Sequence, residues 1–410
     1  MLEYLKLTDV GPAPTMEIEF APRLNVITGD NGLGKTFLLD IAWWALTRTW
    51  ARSAAFVAPA AEDPTIECRY GSERGPYRRS SPFDRRRQTW PGTAGLHDDF
   101  DSTLVDHDLA PVDPPPAAGI AVFAQPDGAF AVWDPARNAW WAGSQRADAY
   151  LFESREVWNG LDSLGTSVLC NGLIRDWASW QRERGDAFGQ LTAVLRALSP
   201  SVREPLAPGK LIRIALDDVR DHPTVTTPYG QDVPLVFASS GTRRIVALAY
   251  LLVWTWQEHL RACELLGLEP ATEITFLVDE IEAHLHPEWQ RRIVPALLEV
   301  MKALTGEGDV SVQVIASTHS PLVLTSIEPD FDEDRDAVFH LDLRDGAVHL
   351  DRIDWAKQGD LTGWLVSEAF GLEQARSIEA ERAIESAEAW MRGDYAALSP
   401  GLDSQEAIDA

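Results

Sequence analysis

Residues 29–36 read Gly-Asp-Asn-Gly-Leu-Gly-Lys-Thr, and this segment constrains the fold more than any other. It fits the pattern of two glycines separated by four residues and followed by lysine and threonine. An apolar run at 24–28 precedes it, and a helical pattern beginning near Lys35 follows it. Glycines let backbone N–H groups turn onto phosphate oxygens, and the helix N-terminus adds its dipole. The segment therefore predicts a strand, loop and helix that bind a nucleotide, since a chance glycine turn would lack these flanks.

Each position of this phosphate loop has an expected task. Lys35 is expected to bridge the terminal phosphates and to act in catalysis, and the Thr36 hydroxyl to be a ligand of Mg²⁺. The backbone of the loop is expected to enclose the phosphates. The predicted binding residues are Gly29, Asp30, Asn31, Gly32, Leu33, Gly34, Lys35 and Thr36.

A second segment supplies two carboxylates. The apolar run 274–278 reads as a buried strand, and Asp279 and Glu280 follow it directly. At the tip of a central strand, Asp279 can hold Mg²⁺, and Glu280 can polarise the attacking water, a role worth ~10²–10⁴ in rate. Acids also cap strand ends at protein surfaces. Together with the phosphate loop, however, the pair predicts nucleotide hydrolysis.

Three more segments follow the same order along the chain. Ser239, Ser240, Gly241 and Thr242 precede a long helix, where a serine and bare backbone can bind an anion, or where Ser240 can be an ordinary N-cap. Residues 281–287, Ile-Glu-Ala-His-Leu-His-Pro, follow the acidic pair, and without a third ligand their histidines do not predict a metal site. A buried strand at 314–317 runs towards His319.

In this order, the five segments resemble the ABC-type ATPases of the OLD, RecF and SMC group (AAA_21-like), and in appearance the ATPase subunit of Septu-type anti-phage defence systems. The resemblance assigns Ser240 and Gly241 to the signature motif, although Thr242 replaces its second glycine. It assigns 281–287 to the D-loop and His319 to a switch that senses the γ-phosphate. It also requires a glutamine-loop ligand of Mg²⁺, for which Asn171 is the first candidate; Gln125 and Gln181 are the rivals.

The resemblance implies an α/β fold: a P-loop ABC-ATPase head with a mixed central sheet, an antiparallel β side-sheet, a compact inserted helical and β subdomain, and a helical C-terminal tail. The expected divisions are an N-terminal ATPase lobe at 1–70, the insertion at 71–230, a C-terminal ATPase lobe at 231–355 and the tail at 356–410. ATP and Mg²⁺ are the expected cofactors.

The resemblance further implies an ATP-dependent homodimer or higher oligomer, in which the signature of one copy meets the ATP of the other. The expected output is control of a DNA-acting partner, a nuclease of HNH type, in anti-phage defence or DNA repair. Two alternatives stay open at this point: the nucleotide-binding subunit of a transporter, and a structural ATP clamp that does not hydrolyse.

Charge restricts the expected partners. With 63 acidic and 36 basic residues, the net charge is −27, which opposes a surface coated by nucleic acid. DNA contact is expected only through the partner or through a local arginine cluster, which could equally pair with the acidic stretch at 98–108. The cluster comprises Arg74, Arg78, Arg79, Arg85, Arg86 and Arg87.

Compartment and membrane contact are the last expectations. The three cysteines, Cys68, Cys170 and Cys263, are far apart and predict neither a disulfide framework nor a zinc site. The apolar stretch at 245–256 is shorter than the ~20 residues that span a bilayer. No signal peptide is evident at the N-terminus. A cytoplasmic protein without a membrane partner is expected.

Overall fold

The computed structural model describes residues 1–71, 77–90, 119–138, 149–163, 167–305, 310–370, 372 and 376–399. The strands are β1 (Leu2–Thr8), β2 (Thr15–Glu19), β3 (Leu24–Gly29), β4 (Thr65–Tyr70), β5 (Tyr77–Pro82), β6 (Ile120–Ala124), β7 (Phe130–Trp133), β8 (Tyr150–Phe152), β9 (Leu161–Ser163), β10 (Ser167–Cys170), β11 (Ala207–Pro208), β12 (Thr224–Thr226), β13 (Asp232–Pro234), β14 (Glu273–Val278), β15 (Ser311–Ser317), β16 (Asp336–Arg344) and β17 (Ala347–Ile353). The helices are α1 (Lys35–Thr47), α2 (Ser154–Asn159), α3 (Leu173–Glu183), α4 (Asp186–Ala197), α5 (Ser240–Leu266), α6 (Pro287–Gln290), α7 (Ile293–Thr305), α8 (Pro321–Ile327), α9 (Leu361–Leu365) and α10 (Ile378–Arg392).

A mixed sheet of eight strands forms the centre, in the order β17-β16-β3-β15-β14-β6-β7-β8. Strands β16, β3, β15, β14 and β6 are parallel, and the outer strands pair antiparallel. The inner strands are buried on both faces, which explains their continuous apolar runs. The parallel strands end at one side of the sheet, here called the carboxyl edge, where ligands of open α/β sheets bind. The expected mixed central sheet is confirmed.

The antiparallel side-sheet is also confirmed, in the order β2-β1-β4-β5. Helix α1 packs between the two sheets, and its Trp43 and Trp44 are fully buried in their shared core. A buried glutamine of β15, Gln313, joins the sheets directly. Its side chain accepts a hydrogen bond from the Leu2 backbone and donates to the carbonyls of Leu2 and Ala21. Side-sheet and central sheet are therefore fixed to each other around α1.

The inserted subdomain begins later than expected. Strands β6, β7 and β8 lie within the range 71–230 that was assigned to the insertion, yet they complete the central sheet. The short apolar runs at 120–124 and 130–133 do not by themselves indicate which sheet they join, because pairing partners lie far away in sequence. The chain that follows β8 forms α2, α3 and α4 and the small sheets of β9–β13, which are separate from the central sheet. It packs on α5 through the buried Leu191, Val194 and Leu195.

The C-terminal part is helical, as expected, and a buried carboxylate fixes its start. Glu328 accepts hydrogen bonds from the backbone of Gln358 and Gly359 (2.9 and 3.2 Å) and from the Trp364 indole (2.5 Å). Three donors compensate the cost of burying this carboxylate. None of the described helices combines the length and apolar character needed to cross a bilayer.

Candidate nucleotide-binding site

The phosphate loop connects β3 to α1 at the carboxyl edge, as its sequence predicts. Gly29, Gly32 and Gly34 have φ values of +129°, +81° and +106°, a region that favours glycine. A Cβ on Gly29 would lie 2.3 Å from the Leu341 carbonyl oxygen of β16. The tip residues Asp30, Asn31 and Gly32 are exposed, whereas Leu33 is buried beneath them. The loop thus needs its glycines for both conformation and space.

Lys35 closes this loop from inside. Its Nζ atom donates to the carbonyl oxygens of Gly29 and Asp30, at 2.7 Å each. Burial lowers the pKa of Lys35, while the nearby carboxylates of Asp30 and Asp279 act in the opposite direction. An ammonium group held by two carbonyls of the phosphate loop, at the start of a helix, is suited to bind phosphate oxygens.

Thr36 and Asp279, two of the three expected magnesium ligands, are in direct contact. The Thr36 hydroxyl donates to Asp279 Oδ2 at 2.8 Å, across 243 positions of sequence. The Ser317 hydroxyl of β15 donates to Asp279 Oδ1 at 2.7 Å, and Asp279 is fully buried. A hydroxyl and a carboxylate oxygen are ligands that Mg²⁺ prefers. This donor set fits a magnesium ion at the base of the phosphate loop.

Arg52 is a member of this site that the sequence did not reveal. Its Nη2 atom lies 3.3 Å from Asp279 Oδ2, and its Nε atom donates to Asp40 Oδ1 at 2.9 Å. The guanidinium also lies over the Phe123 ring, 5.2 Å from the centroid. Arg52 follows α1 in a segment without periodicity, so no local pattern marks it. Its position shows that the pocket around Asp279 favours a cation.

Glu280 occupies a strained position immediately after β14. Its φ of +45° is left-handed, and for a non-glycine residue such a conformation costs about 1 kcal/mol or more. Its backbone N–H donates to the Ser317 hydroxyl at 2.8 Å. Within the described part of the chain, its carboxylate has no hydrogen-bond partner. The backbone turn directs the chain away from the strand while leaving this carboxylate available.

Arg244, in the first turns of α5, connects three segments and was also missed. Its guanidinium donates to the carbonyls of Asp279 (3.1 Å) and Glu280 (3.0 Å) and to Pro126 (2.8 Å), which follows β6. Burial lowers the pKa of Arg244, and the carboxylates of Glu282, Glu280 and Asp279 oppose that shift. The helix that carries the signature residues is thereby joined to the end of the acidic strand.

The D-loop and the switch segment are joined by Glu282. Its carboxylate accepts from the Thr318 hydroxyl (2.7 Å) and from the His319 backbone N–H (2.6 Å). The structure therefore brings His319 to the carboxyl edge, beyond the end of β15. His286 caps α6 by accepting from the Glu288 N–H, and among the described residues no group of three metal-binding side chains exists.

The signature segment begins α5, but its cap differs from the alternative considered from sequence. Ser239, not Ser240, is the N-cap and accepts from the Thr242 N–H at 3.2 Å. Ser240 is exposed and its hydroxyl has no partner in the described part of the protein. A Cβ on Gly241 would lie 2.7 Å from the His284 carbonyl oxygen, so glycine permits the D-loop to pass. Ser240 is left free for an external ligand.

The three candidates for the glutamine loop differ in their position relative to Asp279. Asn171 lies in the insertion, where its amide donates to Asp176 at 2.9 Å, and Gln181 donates to the Gly209 carbonyl. Gln125 follows β6 directly, beside β14, and the Asp279 N–H donates to the neighbouring Ala124 carbonyl at 2.9 Å. The geometry favours Gln125 over Asn171, because only Gln125 lies at the carboxyl edge next to Asp279.

The arginine cluster is described only in part, since Arg74 and the acidic stretch at 98–108 lie outside the described residues. Arg78 and Arg79 belong to β5 at the margin of the side-sheet. Arg85 donates to the Ala61 carbonyl, and Arg86 and Arg87 have exposed side chains. DNA contact through this cluster stays a prediction.

Asp134, His259 and Cys263 form a buried cluster that resembles a nucleophile, base and acid. His259 Nδ1 is 2.7 Å from Asp134 Oδ1, and Cys263 Sγ is 3.5 Å from His259 Nε2. However, Nε2 already accepts from the Ala271 N–H at 2.8 Å, and burial raises the pKa of the Cys263 thiol. With both ring nitrogens engaged and no access to solvent, this cluster holds α5 against the segment before β14.

Comparison with known proteins places these residues in context. A family model described as "AAA domain, putative AbiEii toxin, Type IV TA system" (AAA_21) matches residues 121–325, which is 205 of the 410 residues. "Retron Vc95 probable ATPase" of Vibrio cholerae serotype O1 biovar El Tor is 33% identical over 104 residues, covering 24% of this chain and 17% of that protein. "Septu protein PtuA" of Bacillus thuringiensis is 26% identical over 107 residues, covering 25% and 23%. The chain thus spans less than a quarter of either relative.

Solved structures of ATPase heads are similar at low identity. The Smc head bound to the C-winged helix domain of ScpA has a TM-score of 0.45 and 14% identity, with coverage of 87% of this chain and 98% of that chain. The recombination mediator protein RecF, in its RecF-ATPrS structure, has a TM-score of 0.40 and 13% identity, with coverage of 86% and 98%.

Asp40 yields a pH prediction. Burial raises its pKa to about 6, with Arg52 opposing and Asp279 reinforcing the shift. The folded protein therefore holds this proton more tightly than the unfolded chain does. The resulting stabilisation is complete below about pH 4 and is lost as pH rises through about 6, by about 3 kcal/mol at most. Urea unfolding of wild type and Asp40→Asn in metal-free buffer should give a difference in unfolding free energy that changes across this window.

Glu264→Gln, an exposed change on α5, is the control for that experiment. If the difference in unfolding free energy between wild type and Asp40→Asn stays constant with pH, Asp40 is not protonated preferentially in the folded state.

Proposed function

Because the chain belongs to the AAA_21 family, we propose that it binds and hydrolyses ATP with Mg²⁺, in sites completed by two copies of the chain. One observation carries this proposal: the hydrogen bond from Thr36 to the fully buried Asp279, beside Lys35 and Glu280. It joins the phosphate loop to the acidic strand at the edge of the sheet where a ligand can enter.

The donor set around Asp279 supports magnesium. Arg52 shows that a positive charge is favoured there, and the Thr36 and Asp279 oxygens are suitable ligands. Magnesium bound at these oxygens would neutralise phosphate charge during transfer. Gln125, next to Asp279 at the same edge, is the side chain we assign to the glutamine loop.

Three side chains of the protein then have different roles in the proposed reaction. Lys35 holds the terminal phosphate oxygens, because its ammonium already lies within the loop that encloses them. Glu280 accepts a proton from the attacking water, for which its partner-free carboxylate is available. His319 contacts the γ-phosphate from the end of β15, held in place through its backbone by Glu282.

In the proposed dimer, the second copy of the chain contacts the nucleotide through its signature segment. Ser239 and Ser240 are exposed at the N-terminus of a 27-residue helix, where the dipole favours an anion. Because Ser239 provides the N-cap, the hydroxyl of Ser240 has no partner among the described residues. A triphosphate held by another copy is an anion of the right charge and size. Binding energy for ATP then becomes energy for dimerisation, which makes the nucleotide a switch.

The output of this switch is proposed from similarity. Relatives carry the names of a retron ATPase and of a Septu protein, and each match covers only part of those proteins. We propose that the ATP-linked dimer controls a nuclease partner of HNH type in anti-phage defence. An acidic chain of net charge −27 fits this division of labour, because a partner can provide the DNA contacts.

Replacement of Glu280 by glutamine tests hydrolysis. Phosphate release should fall about 10²–10⁴-fold because the general base is lost, while ATP binding is retained. Release is measured by a coupled phosphate assay and binding by equilibrium titration. Glu288→Gln, an exposed carboxylate on α6, should behave as wild type. Equal release from wild type and Glu280→Gln would exclude the base, and no release from wild type would indicate an ATP clamp.

Replacement of Ser240 by arginine tests the shared site. In a Glu280→Gln background, ATP should convert monomers to dimers in light-scattering chromatography, and Ser240→Arg should prevent this without weakening ATP binding. The matched control is Leu265→Arg, which places the same side chain at an exposed position near the other end of α5. If dimers persist with Ser240→Arg, the signature does not meet the partner's nucleotide.

Alanine variants distinguish Gln125 from Asn171. If Gln125 helps to hold the ion, Gln125→Ala should raise the magnesium concentration for half-maximal hydrolysis by about tenfold or more. Asn171→Ala should leave that concentration unchanged, since its amide is engaged with Asp176. A magnesium titration of both variants checks this, and the reverse pattern would restore Asn171 as the ligand.

A further inference from the structure

A cavity of about 510 Å³ lies on the insertion, well suited in volume to a ligand of nucleotide size. One wall is the outer face of α3, and the other is the segment 213–221. Four arginines line it, here called the arginine cavity: Arg175, Arg182, Arg213 and Arg220. The buried Ile174 and Ala178 add an apolar patch between them.

Arginine donors in this cavity exceed the carboxylates available to satisfy them. Arg182 and Arg213 share one carboxylate, Asp221, and each guanidinium carries five N–H donors. Arg175 is exposed, and its side chain has no hydrogen-bond partner in the described part of the chain. Of the four, Arg220 has the most hydrogen bonds, to Asp218 and Asn159. On a chain of net charge −27, this local excess of positive charge is unusual.

Asp176, the second carboxylate that lines the cavity, makes its hydrogen bonds with residues other than these arginines. It accepts from the Tyr250 hydroxyl of α5 at 2.7 Å and from the Asn171 amide at 2.9 Å. Burial raises the pKa of Asp176. The cavity therefore presents positive potential to a ligand.

We propose that the arginine cavity binds a small phosphorylated ligand of about mononucleotide size, at a site separate from the phosphate loop. Arg175 and Arg182 grip the phosphate, because guanidinium forks bind phosphate oxygens in pairs. The apolar patch receives the uncharged part of the ligand. An extended nucleic acid strand fits less well, since the net charge of −27 opposes binding of a long polyanion.

The test uses the full chain with Lys35→Ala, which disables the phosphate loop, and inorganic pyrophosphate as the probe. Calorimetric titration should detect one binding site per chain. Adding Arg175→Ala and Arg182→Ala should weaken binding about tenfold or more, because two charge-assisted contacts are lost. Arg261→Ala, an exposed arginine of α5 paired with Glu258, is the matched control and should bind as the background does.

Two further arms keep the outcome decisive. Arg175→Glu alone removes no contact of the fold, so it should weaken binding even if the double variant is unstable in thermal melting. A single-stranded oligonucleotide is titrated in parallel and should bind less tightly than pyrophosphate. Absence of binding, binding unaffected by Arg175→Glu, or tighter binding of the oligonucleotide would each overturn the proposal.

Discussion

The buried carboxylate of Asp279 is the point on which the arrangement of the site depends. An uncompensated buried charge costs several kcal/mol, so its neighbours must supply hydrogen bonds or positive charge. Thr36 and Ser317 donate from two different strands or loops, and Arg52 approaches from a third segment. Satisfying one carboxylate therefore fixes the phosphate loop, β14 and β15 in a single register. The positions of Lys35 and Glu280 follow from that register.

Two further side chains join this fixed region to the start of α5 and to the segment before His319. Arg244 ties the first turns of α5 to the carbonyls that follow β14 and β6. Glu282 ties the D-loop to the start of the switch segment at His319. In both cases a charged side chain is hydrogen-bonded to backbone groups. These bonds therefore fix the backbone conformation of the loop and not only the rotamer of a side chain. In the proposed reaction cycle, a change of charge at the bound phosphates would consequently affect Ser240 and His319 together.

The sequence predicted those parts of the site whose chemistry is local. The phosphate loop, Asp279 and the cap region before α5 are each encoded within a few residues, and the structure brings them together as the order of segments implied. The contacts of Arg52 and Arg244, and the position of Gln125 beside Asp279, were not predicted, because they depend on the meeting of distant segments. The same reason explains the late start of the insertion, since β6 acquires its place only by pairing with β14.

Helix α5 links the two phosphate-binding sites proposed for this chain. Its first residue, Ser240, is exposed, and Tyr250 donates a hydrogen bond to Asp176 in the lining of the arginine cavity. The two residues are ten positions apart, about 15 Å along a straight helix. A helix buried along most of that length moves as a unit, because close packing resists local bending. Any coupling between the cavity and the shared ATP site would accordingly pass through α5, with the Tyr250–Asp176 hydrogen bond as its first contact.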